Sequence, residues 1–135
     1  TGRSSLLMTL HAKSVNDAIA RLRVMCQVSG TDLPSEAIEE LVGSALHLIV
    51  LMERDEEGRR RIACVSEIGG VEHGQVRIQH LFQFVQSGMV DGRIEGRLEP
   101  CGTRPSCAPV LERIGAALPD EIYGIRSGWP TDQPG

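Results

Sequence analysis

The residues able to do chemistry in this 135-residue chain are few and unevenly placed. His11 ends the apolar run Leu6, Leu7, Met8 and Leu10, and Arg59, Arg60 and Arg61 stand side by side. A histidine at the end of a strand has two readings: a hydrogen-bonded structural residue, or a group that handles protons near neutral pH. On periodicity alone the arginine run reads as the solvated start of a strand, with an anion contact as the lesser alternative. Cys101, Cys107, His73 and His80 offer sulfur and nitrogen donors for zinc, but their spacings are not those of structural zinc sites. Reduced, mostly buried thiols are the expectation for Cys26, Cys64, Cys101 and Cys107. Cysteine, histidine and serine form no nucleophile–base spacing.

Phosphate chemistry of the usual kind is missing. A phosphate-cradling loop needs glycines for close backbone approach and a lysine for the β and γ phosphates. Lys13 is the only lysine, and Ala12 precedes it. The apolar run ending in Glu53 imitates a strand that presents a Mg²⁺-binding carboxylate, yet no phosphate loop lies upstream of it. A plain buried strand is the expected reading.

Composition narrows the classes further. The length suits one domain. Aromatic residues make up 3% of the chain, so aliphatic side chains must fill the core. A net charge of -4 argues against a nucleic-acid footprint despite the local arginines. No apolar run approaches the roughly 20 residues of a membrane span, and no signal-peptide pattern opens the sequence, so a soluble cytoplasmic chain is expected.

The elements that must position these residues follow from periodicity. Leu6 to Leu10 lack a helical period and read as a strand buried on both faces. Ser14 with Asp17 resembles a capping box, and Val15, Ala18, Ile19, Leu22 and Met25 recur at helical spacing as far as Gly30. Pro34, Glu36 and the stripe Ile38, Leu41, Val42, Ala45 predict a second helix. "LHLIVLMER" and "RRRIACVSEI", separated by a turn at "DEEG", predict an antiparallel hairpin. "QVRIQHLFQF" predicts a third strand and "DGRIEGRL" a fourth, with Gly96 marking a bulge or a close approach. Residues 108–118 predict a short helix stopped by Pro119, and Trp129 is the one anchor for the Pro/Gly-rich end.

Taken together, "TGRSSLLMTLHAKSVNDAIARL", "DLPSEAIEELVGSALHLIV", "ERDEEGRRRIACVSEIGGVE" and "GRIEGRLEPCGTRP" resemble the type II/IV secretion ATPases, particularly the CpaF/TadA-type ATPases of tight-adherence (Flp) pilus assembly. The resemblance runs from Thr1 to about Tyr123. It implies an α/β fold, the C-terminal half of a RecA-like P-loop domain: a buried strand, two helices, mostly antiparallel strands and a short C-terminal helix. Residues 1–14 are then the histidine box, Thr1 and Gly2 fall just after the Walker B segment, and residues 124–135 form a flexible tail. Thr9, His11, Ala12, Ser14, Arg21 and the Arg54 to Arg61 hairpin match the family. Arg3 replaces its first histidine, Arg23 a glutamate of the first helix, Lys13 an asparagine and His47 an aspartate.

The resemblance implies His11 and Thr9 as catalytic residues, and Arg21, Arg54, Arg60 and Arg61 as nucleotide or subunit contacts. ATP and Mg²⁺ would bind the intact parent, with no cofactor for this stretch alone. The implied partners are the other subunits of a homo-hexamer and an inner-membrane platform protein, without nucleic acid, at the cytoplasmic face of the membrane. A non-catalytic assembly module, a degenerate or truncated paralogue, is the alternative. If neighbouring strands normally flank Leu6 to Leu10, an uncovered apolar edge is also expected.

Overall fold

Ser14 fixes where regular structure begins. Its Oγ accepts the backbone N–H of Asp17 at 3.0 Å, and the Asp17 carboxylate accepts the N–H of Lys13 at 2.8 Å. The first satisfies a donor that the opening helical turn would leave unpaired, and the second ties the residue before the cap to the same turn. Helix α1 follows over Val15–Val28. A computed structural model describes residues 5–30 and 32–126; Thr1 to Arg3, Trp129 and the expected tail from residue 127 onward lie outside the described residues. Helix α2, Ser35–Ala45, starts after Pro34, which sits at the cap rather than within the first turn.

Val15, Ala18 and Ile19 of α1 and Ile38 and Val42 of α2 are buried as their spacing predicts. Met25 and Leu41, assigned to the same stripes, are exposed. On a 3.6-residue helix the line through Val15, Ile19 and Leu22 continues to Cys26, leaving Met25 on its flank. Cys26 and Leu22 accordingly pack at the core's edge. Ala45, at the end of α2, is exposed as well.

Four strands form one antiparallel meander, β1 (Leu48–Arg54), β2 (Arg60–Glu72), β3 (Gln75–Val90) and β4 (Arg93–Pro100), in that spatial order. The predicted hairpin is present: Leu51 lies opposite Cys64, Glu53 opposite Arg61 and Arg54 opposite Arg60. His73 and Gly74 join β2 to β3, and Asp91 and Gly92 join β3 to β4, each pair at positive φ. Two-residue turns of that handedness match the twist of the flanking strands.

Gly96 is a close approach, as expected. A Cβ there would fall inside contact distance of the Val85 carbonyl oxygen and the Phe84 ring. The register of β3 against β4 shifts between Gln86 and Gly88, directly across from it.

The two helices cover one face of the sheet, enclosing Val15, Ile19, Ile38, Val42, Cys64, Ile68 and Val76. Gly43 lets α2 descend onto β2, since a Cβ there would stand 2.9 Å from Val71 Cγ2. Leu81, Ala108 and Tyr123 are buried outside that cluster. The C-terminal segment joins the sheet through Cys101 N–H to Leu81 C=O at 2.9 Å, and through Ser106 N–H to the Glu67 carboxylate at 2.8 Å. It carries helix α3, Ala108–Arg113, and a 3₁₀ turn over Asp120–Tyr123.

Several expectations are corrected. The strand over Leu6 to Leu10 does not form: these residues carry no strand, and Leu6 and Leu7 are 85% and 96% exposed. A strand needs a neighbour to take its backbone groups, and none of the described strands lies beside it. β1 is not buried on both faces. It is an edge strand with Leu48, Val50 and Met52 exposed and Ile49 and Leu51 packed on the core. The apolar residues of the Leu6 to Leu10 run are uncovered, as expected, but as an exposed segment and not as a strand edge, and the exposed face of β1 is unanticipated.

Helix α3 stops at Arg113, well before Pro119, because Gly115 adopts φ 75°. Gly115 N–H and Ala116 N–H bond to the carbonyls of Glu112 and Leu111, closing a Schellman motif. Cys64 is buried and Cys26 half-buried, whereas Cys101 and Cys107 are exposed. No helix among the described residues is long and apolar enough to cross a membrane.

Candidate functional site

Thr9 and His11 lie in the exposed segment that leads into α1. Arg21 is one turn into the helix from Asp17, and its Nε donates to the Asp17 carboxylate at 3.1 Å. The cap of α1 thus positions Arg21 as well. Asp17 is held below its ordinary value of 3.8, first by the N–H of Lys13 and then by the Arg21 guanidinium.

Arg54, Arg60 and Arg61 gather at the opposite kind of place, the turn end of the β1–β2 hairpin. The turn is built by Asp55, whose Oδ1 accepts the N–H groups of Glu57 at 3.0 Å and Arg59 at 2.8 Å. Gly58, at φ 79°, supplies the left-handed position that lets the chain re-enter the ladder. Arg59 Nε donates to Asp55 Oδ2 at 2.9 Å. The neighbouring hairpin contributes Arg93, 3.3 Å from Glu57.

Arg61 is the most constrained of the three. Its Nε donates to Glu53 at 2.7 Å, and its guanidinium carbon sits 4.3 Å from the centroid of Phe84. Arg54 and Arg60 face one another across the ladder, both exposed. Among the described residues, no hydrogen bond or ion pair joins the Thr9, His11 and Arg21 group to the hairpin arginines. The structure brings together Arg54, Arg60 and Arg61, and separately ties Arg21 to the entry of the first helix.

Two arrangements escaped the sequence reading. Glu39 accepts Arg23 Nη2 at 3.0 Å and the backbone N–H of Val76 at 3.0 Å, locking α1, α2 and β3 to one another. A cleft of about 350 Å³ opens beside this lock, lined by Arg23, Gln27, Ser35, Glu36 and Gln75 among others, and none of the predicted site residues lines it. The second is Ser66, fully buried, whose hydroxyl lies 2.7 Å from His80 Nδ1. Ser66 and His80 stand opposite each other on β2 and β3, a pairing that needs the register to be seen.

Among the described residues no cluster of three or more histidine, cysteine, aspartate or glutamate side chains is arranged to hold a metal ion. No protein-family model matches this chain, and no curated protein matches it.

Proposed function

We propose that this chain is the C-terminal segment of a hexameric secretion or pilus-assembly ATPase of the RecA-like type, contributing its histidine box and its subunit contacts. The observation that carries the reading is the run Leu6 to Leu10, apolar, uncovered and ending in His11 just before a capped helix. Such a run is costly to leave in water, and flanking strands of a larger sheet would cover it and hold His11 at its end. His11 would then polarise the γ-phosphate or its attacking water, with Thr9 beside it. Arg21, Arg54, Arg60 and Arg61 would contact nucleotide or a neighbouring subunit through planar, permanently charged forks. ATP and Mg²⁺ would bind the intact parent, held at the cytoplasmic face of the membrane by its platform protein.

The test is made on the intact protein. Its reading frame should carry Walker A and Walker B motifs upstream of Thr1; a frame without them favours the non-catalytic assembly module. Replacing one preorganised donor to developing charge lowers turnover on the order of 10² to 10³, so His11→Ala should do so with an unchanged thermal midpoint. Normal turnover in that folded variant would remove His11 from the catalytic role.

A further inference from the structure

Arg54 and Arg60 are directly opposite on adjacent antiparallel strands, so their side chains leave the same face with Cβ atoms about 5 Å apart. Like charges in that position repel and weaken the ladder. Arginine cannot relieve the repulsion by losing its proton. Every other arginine at this end of the sheet is neutralised: Arg59 by Asp55, Arg61 by Glu53 and Arg93 by Glu57. Asp55, Glu53 and Glu57 are thereby occupied, the exposed turn residue Glu56 makes no ion pair, and neither Arg54 nor Arg60 has one among the described residues. In a chain of net charge -4, two opposed and uncompensated cations are conspicuous.

We infer that Arg54 and Arg60 form a two-pronged site for a phosphoryl group. A single carboxylate is saturated by one guanidinium fork, whereas a phosphoryl group presents three oxygens and close to two negative charges, enough for two forks. The platform is rigid, because Asp55 fixes the turn between the two arginines with backbone hydrogen bonds to Glu57 and Arg59. Met52 and Ile62, opposite one another two residues along the same face, give the pair an apolar floor. The inference deepens the contact role proposed above for these two arginines. It is tested by binding to this chain, whereas the ATPase reading is tested by turnover of the intact protein, so either can fail alone.

The experiment is a titration of the isotopically labelled 135-residue chain with inorganic phosphate, pyrophosphate and ATP at fixed ionic strength, followed by NMR. Saturable shifts should centre on Arg54 and Arg60. Loss of one charged fork should weaken phosphate binding about tenfold in Arg54→Gln or Arg60→Gln, and the double variant should not saturate. Arg97→Gln, on the far edge strand, should bind as the parent does. Equal affinity for phosphate and ATP identifies a lone phosphoryl group as the ligand; tighter ATP binding, lost in the same variants, identifies a nucleotide. Thermal melting supplies an independent readout: without phosphate, Arg60→Gln should melt at or above the parent, and phosphate should raise the midpoint of the parent but not of the double variant. Phosphate binding unchanged in the double variant, or shifts confined to other residues, overturns the assignment.

Discussion

Asp55 organises the arginine end of the sheet, and its protonation follows from what it holds. Partial burial raises its carboxyl, but the N–H of Arg59, the Arg59 guanidinium and the N–H of Glu57 outweigh that effect and bring it below the ordinary value of 3.8. A carboxylate lowered in the fold contributes stability above its unfolded value and loses it as pH falls through the native one. The β1–β2 turn should therefore be intact at pH 5 and above and loosen below about pH 3.8, read from the amide resonances of Glu57 and Arg59. Asp55→Asn should remove the acid transition at those amides. Ser66 makes the second residue-scale prediction. Its hydroxyl is fully buried against His80 Nδ1, and deleting one intramolecular hydrogen bond costs about 1 kcal/mol. Ser66→Ala should lower stability by that amount in denaturant unfolding; no change would mean that the hydroxyl is as well solvated in the unfolded chain as it is bonded here.

At the scale of elements, local rules account for what was legible in the sequence. Ser14 and Asp17 announce α1 because a cap is a contact between near neighbours, and Ser14→Ala should cost about 1 kcal/mol in thermal melts. The β1–β2 hairpin is legible because Asp55 and Gly58 satisfy a turn by themselves. Gly96 is legible for a different reason: glycine within a strand signals that something else occupies the place of its side chain. Gly96→Ala should force Phe84 and the Val85 carbonyl apart and cost about 1 to 3 kcal/mol, the range for overpacking. What escaped the sequence is non-local. The strand expected at Leu6 to Leu10 has the right composition but no partner here. β1 looks buried because its residues are apolar on both faces, yet only Ile49 and Leu51 meet the core. The Glu39 lock joins residues from three elements, and Arg54 and Arg60 share a face only once the register is set.

For the whole molecule the central fact is apolar surface left in water on one edge of the sheet and on the segment before α1. Leu48, Val50 and Met52 line an edge strand whose outer backbone groups have no strand beside them among the described residues, a combination that invites pairing with another chain. The proposed function assigns the segment before α1 to flanking strands of the parent's larger sheet. It also implies that the 135-residue chain binds ATP no more tightly than about millimolar, since the backbone cradle and lysine that supply most phosphate affinity are absent; micromolar binding by calorimetry would place the nucleotide elsewhere. Val50→Lys separates the two settings. In the isolated chain its side chain stands in solvent, so the substitution should change stability by less than about 0.5 kcal/mol while reducing light scattering, because a charge on an apolar edge opposes strand pairing. In the intact protein, where a neighbouring element packs onto this face of β1, the same lysine would be buried against it, and desolvating an unpaired charge or hydrogen-bonding group costs several kcal/mol. The intact variant should then unfold at a lower temperature and lose assembly together with turnover. If the intact protein accepts Val50→Lys as easily as the isolated chain does, this face of β1 remains uncovered in the parent.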